Sequence, residues 1–261
     1  MIRRFSMRTL IAVIAVAVLF NISFASERQL PPKKNTLQLP DRTTTKSSVS
    51  TEALKVKSLQ EAQAWLASIN YVKTIEQIPE MKWLRLQMYG SFNGVSTQQL
   101  INNENMRHIK VMTKLEELAL PRWTNDSGLS NVAGLTHLKN LNIPITNITD
   151  AGMAYLQNLN SLETIALHGT KITGEGLKHL QGKNLSILGL NQTNIGDADM
   201  ELIGTFTNLK SLFLVGTRIT DASIPHLKKL KNLQRLDITG TKISERGKQD
   251  LQTVMSGLKI Y

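Results

Sequence analysis

Cysteine is absent from the 261-residue chain, which excludes a disulfide framework, thiolate metal sites and a cysteine nucleophile. Histidine is scarce as well. The five present, His108, His137, His168, His179 and His226, show no His-Glu-x-x-His or comparable ligand spacing, so neither a metal nor a cofactor is expected. Aromatic residues make up 5% of the chain and do not interleave with basic residues, a composition that disfavours nucleic acid as a partner. Acidic residues are the minority charge, 20 against 31 Lys plus Arg, for a net charge of +11. That balance favours anionic partners without specifying one.

Long apolar runs are missing with one exception. Residues 1–9 carry Arg3, Arg4 and Arg8 with no acid, residues 10–20 have no polar side chain, and Ser23 and Ala25 place small residues just before Ser26. This pattern predicts a secretory signal peptide over residues 1–25, cleaved after Ala25. Asn21 and Ser23 interrupt the run short of the roughly 20 apolar residues that a membrane span needs, so no stable span is expected after cleavage. The expectation is an exported protein: periplasmic, cell-surface or secreted. Removal of the three arginines leaves a charge of +8, and the lack of cysteine rules out a lipid anchor. Residues 26–50, with Pro31, Pro32 and Pro40 and a run of threonines and serines, read as a flexible linker.

The rest of the chain repeats itself. Leu-x-x-Leu-x-Leu occurs at Leu115-Leu118-Leu120, Leu138-Leu141-Ile143, Leu162-Ile165-Leu167, Leu185-Leu188-Leu190, Leu209-Leu212-Leu214 and Leu233-Leu236-Ile238, at spacings of 23 or 24 residues. Met81-Leu84-Leu86 precedes this series by 34 residues, and Met255-Leu258-Ile260 closes it. The last two apolar positions of each pattern lie two apart, on one face of a short strand. A second signature follows, as in Thr146-Asn147-Ile148-Thr149-Asp150 and Thr217-Arg218-Ile219-Thr220-Asp221. Here the isoleucine turns inward and the next Thr, Ser or Gly caps a helix, whose buried face recurs at intervals of three, as in Met153, Leu156 and Leu159. Each unit is therefore strand, turn, helix. Upstream, Leu54 and Val56 suggest a strand, and Ser58 to Glu61 a capping box opening a helix through about Ile69. Residues 51–80 are thus expected to form an N-terminal cap on a repeat domain spanning residues 81–261.

These recurring residues resemble a leucine-rich-repeat protein. The Thr-x-Ile-Thr-Asp-Ala-Gly segment is similar to the cysteine-containing subclass found in exported bacterial repeat proteins, with Thr146, Thr170, Thr193, Thr217 and Thr241 standing where that subclass has cysteine. The resemblance implies an α/β fold: a right-handed solenoid with a concave parallel sheet and short helices on the convex side. Elementary geometry agrees. Strands stack about 4.8 Å apart whereas helices are roughly 10 Å across, so the stack curves with its strands inside. The threonines are expected to hydrogen-bond to the turn backbone.

A catalytic site needs several polar groups to converge, and none can be assembled, so no enzymatic activity is expected. Gly169 to Gly174 mimics the start of a phosphate loop, but Glu175 and Gly176 stand where lysine and a hydroxyl are required. Asp150, Asp197 and Asp221 follow N-caps and offset the helix dipole. What remains is the outward strand face, which runs Trp83/Arg85/Gln87, Glu117/Ala119/Pro121, Asn140/Asn142/Pro144, Thr164/Ala166/His168, Ile187/Gly189/Asn191, Ser211/Phe213/Val215 and Arg235/Asp237/Thr239. Ile187, Phe213 and Val215 place apolar groups on a surface that should be wet, with His168 and Arg235 beside them, and so form a candidate binding cluster for a protein partner. Lys171, Arg218 and Lys242 occupy one repeated phase and form a candidate basic rim. An anionic envelope glycan is the alternative partner for that rim.

Overall fold

The computed structural model describes residues 51–69, 77–86, 91–92 and 95–261. The expected signal peptide and linker, and part of the expected cap, lie outside the described residues. The chain divides into two units, of which the second, Leu54–Tyr261, holds the repeats and is the one described below.

Strands β1 (Trp83–Arg85), β2 (Ser91–Phe92), β3 (Val95–Ser96), β4 (Glu117–Ala119), β5 (Asn140–Asn142), β6 (Thr164–Ala166), β7 (Ile187–Gly189), β8 (Ser211–Phe213), β9 (Arg235–Asp237) and β10 (Lys259–Ile260) fall where the period puts them or, for β2 and β3, inside the long first interval. Eight of them form one open parallel sheet in the order β1-β4-β5-β6-β7-β8-β9-β10. Its register aligns Leu84, Leu118, Leu141, Ile165, Leu188, Leu212, Leu236 and Ile260 in a single row. From Leu84 to Leu236 that row is at most 2% exposed, which is how units too thin for a core of their own acquire a continuous one. The remaining 34-residue interval holds the β2–β3 hairpin, a helical turn at Thr97–Leu100 and a 3-10 segment at Asn105–Val111.

The N-terminal element differs from expectation. One helix runs Thr51–Ser68, so Leu54 and Val56 are helical rather than a strand, and both are exposed. Ser58 is not a cap. Its hydroxyl donates to the Leu54 carbonyl at 3.0 Å, a back-bond within the helix. Among the described residues, Leu54 and Val56 have no neighbouring strand to pair with. Continuing the helix whose face buries Leu59, Ala62, Trp65 and Leu66 satisfies their backbone instead.

The turns after β5 to β9 are built alike. Ile145, Gly169, Gln192, Gly216 and Gly240 take the left-handed backbone conformation one residue before the repeated threonine. Thr170, Thr193, Thr217 and Thr241 then donate to the carbonyl three residues back, at 2.6–2.7 Å. The exception is informative. Ile145 is a β-branched residue at φ 52°, and there the Thr146 hydroxyl is buried without a hydrogen-bond partner among the described residues. In the irregular second unit Thr124 still donates to Pro121, while the Trp123 indole N–H reaches the Ile101 carbonyl.

Aspartates staple unit to unit. Asp126 accepts from the backbone and hydroxyl of Thr149 (2.9 and 2.7 Å), Asp150 from Thr173 (2.7 and 2.7 Å), Asp197 from Thr220 (2.8 and 2.7 Å) and Asp221 from Ser244 (2.8 and 2.6 Å). Glycine leaves room for the incoming carboxylate. A Cβ on Gly152, Gly176 or Gly247 would lie 2.2, 2.4 or 2.5 Å from its oxygen. Ser223, at the same position, donates its hydroxyl to Asp197 instead. At one junction the partners are exchanged: Gly174 occupies the aspartate position and Asp199 the glycine position. Asp199 reaches back to accept from Gly174 N–H at 3.1 Å and Gly196 N–H at 2.9 Å.

Candidate functional site

The strand rows decide which side chains face the concavity. Because Leu188, Leu212 and Leu236 point into the core, Ile187, Gly189, Ser211, Phe213, Arg235 and Asp237 point away from it. Ile187 is 37% exposed, Phe213 and Val215 are half-buried, and Arg235 is exposed. His168 leans over Gly189, whose missing side chain is what admits the ring: a Cβ there would lie 2.3 Å from His168 Cε1. The imidazole meets Phe213 edge-on at 6.5 Å between centroids. The structure therefore brings His168 and Phe213 together, with Val215 two residues beyond Phe213 and with Ile187 and Arg235 on flanking strands.

His168 is neutral by construction. Burial pushes its pKa below the ordinary 6.5, and Nδ1 accepts the Asn191 N–H at 3.2 Å, which leaves the proton on Nε2. Asn191 in turn accepts the Val215 N–H at 2.9 Å. These side chains satisfy backbone donors where strand pairing ends, a role invisible from residue types alone.

Lys171, Arg218 and Lys242 lie elsewhere, on a flank beyond the buried threonines. Their backbones form a second ladder: Lys171 N–H donates to Ile148, Arg218 to Ile195 and Lys242 to Ile219, at 2.9–3.0 Å. All three are exposed. The Arg218 guanidinium is tied to the Asn194 carbonyl at 2.6 Å, whereas Lys171 and Lys242 make no ion pair among the described residues. The nominated residues thus fall into two separate groups.

A feature not nominated from sequence lies at the other end of the sheet. Arg85, Glu117, Ala119, Asn140, Asn142, Thr164 and Ala166 line a hollow of about 390 Å³ floored by the backbone of Leu118 and Leu141. Next to it Glu116 sits between Lys139 at 2.9 Å and Lys82 at 3.1 Å, and hydrogen bonds from these two, Lys139 first, hold its carboxyl below the usual range. The sequence signal for the hollow was the run of small and amide residues on the outward face; its depth depends on curvature. Among the described residues, no group of three or more His, Cys, Asp or Glu could hold a metal ion, and no helix is long and apolar enough to cross a membrane.

A family model described as leucine-rich repeats in two copies matches residues 207–246. No curated protein matches the chain. Among solved structures, an internalin (InlF) from Listeria monocytogenes is similar at TM-score 0.51 and 20% identity, covering 72% of this chain and 50% of its own. Internalin C2 from the same organism is similar at TM-score 0.52 and 20% identity, covering 78% of this chain and 92% of its own. The chain thus spans half the length of the first. At this identity the likeness speaks for the fold, a leucine-rich-repeat solenoid; the cysteine-type subclass expected from the threonine segment gains no support from it.

Proposed function

We propose that this leucine-rich-repeat chain is an exported, non-enzymatic module that binds a protein partner through the concave cluster of His168, Ile187, Phe213, Val215 and Arg235. One observation carries the reading: an aromatic and two aliphatic side chains stay accessible together on neighbouring strands, on a sheet face whose other outward positions, Trp83 and two prolines apart, are polar or small. Such a cluster, with an arginine at its margin, has the composition of interface anchors. A photo-crosslinking amino acid at position 187 should capture a discrete polypeptide in the native host. Phe213→Ala with Val215→Ala should lower that yield about tenfold or more, while Glu201→Ala on the helical side leaves it unchanged. Capture indifferent to both changes refutes the concave assignment.

The unpaired Lys171 and Lys242 favour a second reading, in which the flank row with Arg218 docks an anionic envelope glycan. Binding that collapses between low and high salt supports this reading; the apolar cluster predicts binding nearly independent of salt.

A further inference from the structure

The two ends of the strand face differ in how far their polar side chains are already engaged. Toward the C-terminal end three of them hold backbone donors: His168, Asn191 and Asp237, the last accepting from the backbone and hydroxyl of Thr239 at 3.1 and 2.7 Å, while Ser211 and Arg235 make no side-chain hydrogen bond or ion pair among the described residues. Toward the N-terminal end the side chains of Glu117, Asn140, Asn142 and Thr164 make no hydrogen bond or ion pair among the described residues. All four line the 390 Å³ hollow.

Register arranges them. Asn140 lies between Glu117 and Thr164, while Asn142 lies between Ala119 and Ala166, whose short side chains leave its amide accessible. Arg85 and Glu117 contribute opposite charges, so the lining has no net charge to attract a polyion. Trp83, 55% exposed, projects from the same face of β1 as Arg85 and pairs in register with Glu117. Amides both donate and accept, the threonine hydroxyl does the same and a carboxylate accepts; together they match adjacent hydroxyl groups, each of which does both. An indole face at the margin matches a flat C–H surface. A ligand that is neutral, dense in hydroxyls and apolar on its ring faces is a sugar.

We propose that this hollow binds pyranose units of a neutral glycan, at a site separate from the apolar cluster and chemically distinct from the basic row. The volume lies at the small end of the roughly 300–1,000 Å³ range of ligand sites and suits a short segment of chain.

The test titrates the full chain with neutral tetrasaccharides of glucose, xylose, mannose, galactose and N-acetylglucosamine, read by tryptophan fluorescence and calorimetry. Trp65 is buried and Trp123 half-buried, so Trp83 is the exposed reporter. The expected result is a saturable spectral shift with at least one sugar, at millimolar affinity or better and insensitive to salt. Trp83→Ala and Asn142→Ala should each weaken binding about tenfold, and Phe213→Ala should leave it unchanged. Asn142 is exposed and makes no side-chain hydrogen bond among the described residues, so its variant separates recognition from folding. Absence of a saturable response to every sugar overturns the proposal. Binding that survives both substitutions, fades with salt, or is matched by an uncharged tetrapeptide also overturns it. Each of these outcomes leaves the protein-binding cluster standing, because Phe213→Ala reports on that cluster independently.

Discussion

The exchanged pair Gly174 and Asp199 permits a strong test of the interunit staple. Asp199→Gly removes an acceptor that serves two backbone donors, and charge-assisted bonds of this kind are worth about 1.5–3 kcal/mol each when buried. Partial exposure lowers the total to about 2–4 kcal/mol. Gly174→Asp alone drives a new side chain into Asp199, since a Cβ at Gly174 would lie 2.1 Å from Oδ1, and it also juxtaposes two carboxylates. A loss of about 3 kcal/mol or more is expected from clash and like charge together. Combined, the two changes rebuild the forward aspartate and receiving glycine found at Asp126/Gly152, Asp150/Gly176 and Asp221/Gly247. The double variant should therefore return to within about 1 kcal/mol of the parent, a coupling of at least about 4 kcal/mol. Urea midpoints, with hydrogen exchange at residues 174 and 196 to localise the effect, measure the cycle. Additive losses would refute the staple.

Three further outcomes are expected. Lys183 is buried, with its N–H bonded to the Leu180 carbonyl as Leu159 bonds to Leu156 and Phe206 to Ile203, so it fills a place in an apolar column. Burial lowers its pKa below 10.5, and its ammonium donates to the Gln157 carbonyl at 2.8 Å. Lys183→Met should stabilise by about 1–2 kcal/mol in thermal melts. Because the unfolded chain holds that proton more tightly, parental stability should rise as pH climbs toward the unfolded pKa, a slope the variant should lose. Ile145→Asn, at a left-handed position that asparagine tolerates, should stabilise by about 1 kcal/mol by urea titration. For Asp197, burial raises the pKa, but hydrogen bonds from Ser223 and Thr220 and the charge of His226 outweigh it, so the carboxyl ends below 3.8; that of Asp221 is lowered too, chiefly by Ser244. With folded pKa values below unfolded ones, these groups contribute stability above the unfolded value that is lost as pH falls through the folded one. Acid titration of the urea midpoint should show this loss below about pH 4, with a shallower slope in Asp197→Asn.

Much of the architecture was legible because buried leucines obey a fixed period: strand positions, register, N-caps and the threonine turn follow from residue type and spacing. Leu54 and Val56 were misread because alternation over three residues cannot distinguish a strand from a helix that lacks a strand partner. The aspartates were read only as dipole partners, since their true contacts lie 23 residues away and need a neighbour already in place. Lys183 escaped notice because its unit is one residue short, which shifts the frame. The outward residues could be enumerated from sequence. Which of them were already occupied by backbone donors could not, and that difference separates His168 and Asn191 from Asn140 and Asn142.

Each forward-reaching carboxylate completes the cap of its successor, so every unit is finished by the one before it. A cut made at the same phase in two places removes whole periods without orphaning a donor, and an insertion of whole periods adds none. Such an array can grow or shrink in unit steps while conserving its joints. The exchanged junction is the exception: a unit transplanted there inherits a mismatched partner on one side, which confines inheritable length changes to either side of Gly174 and Asp199.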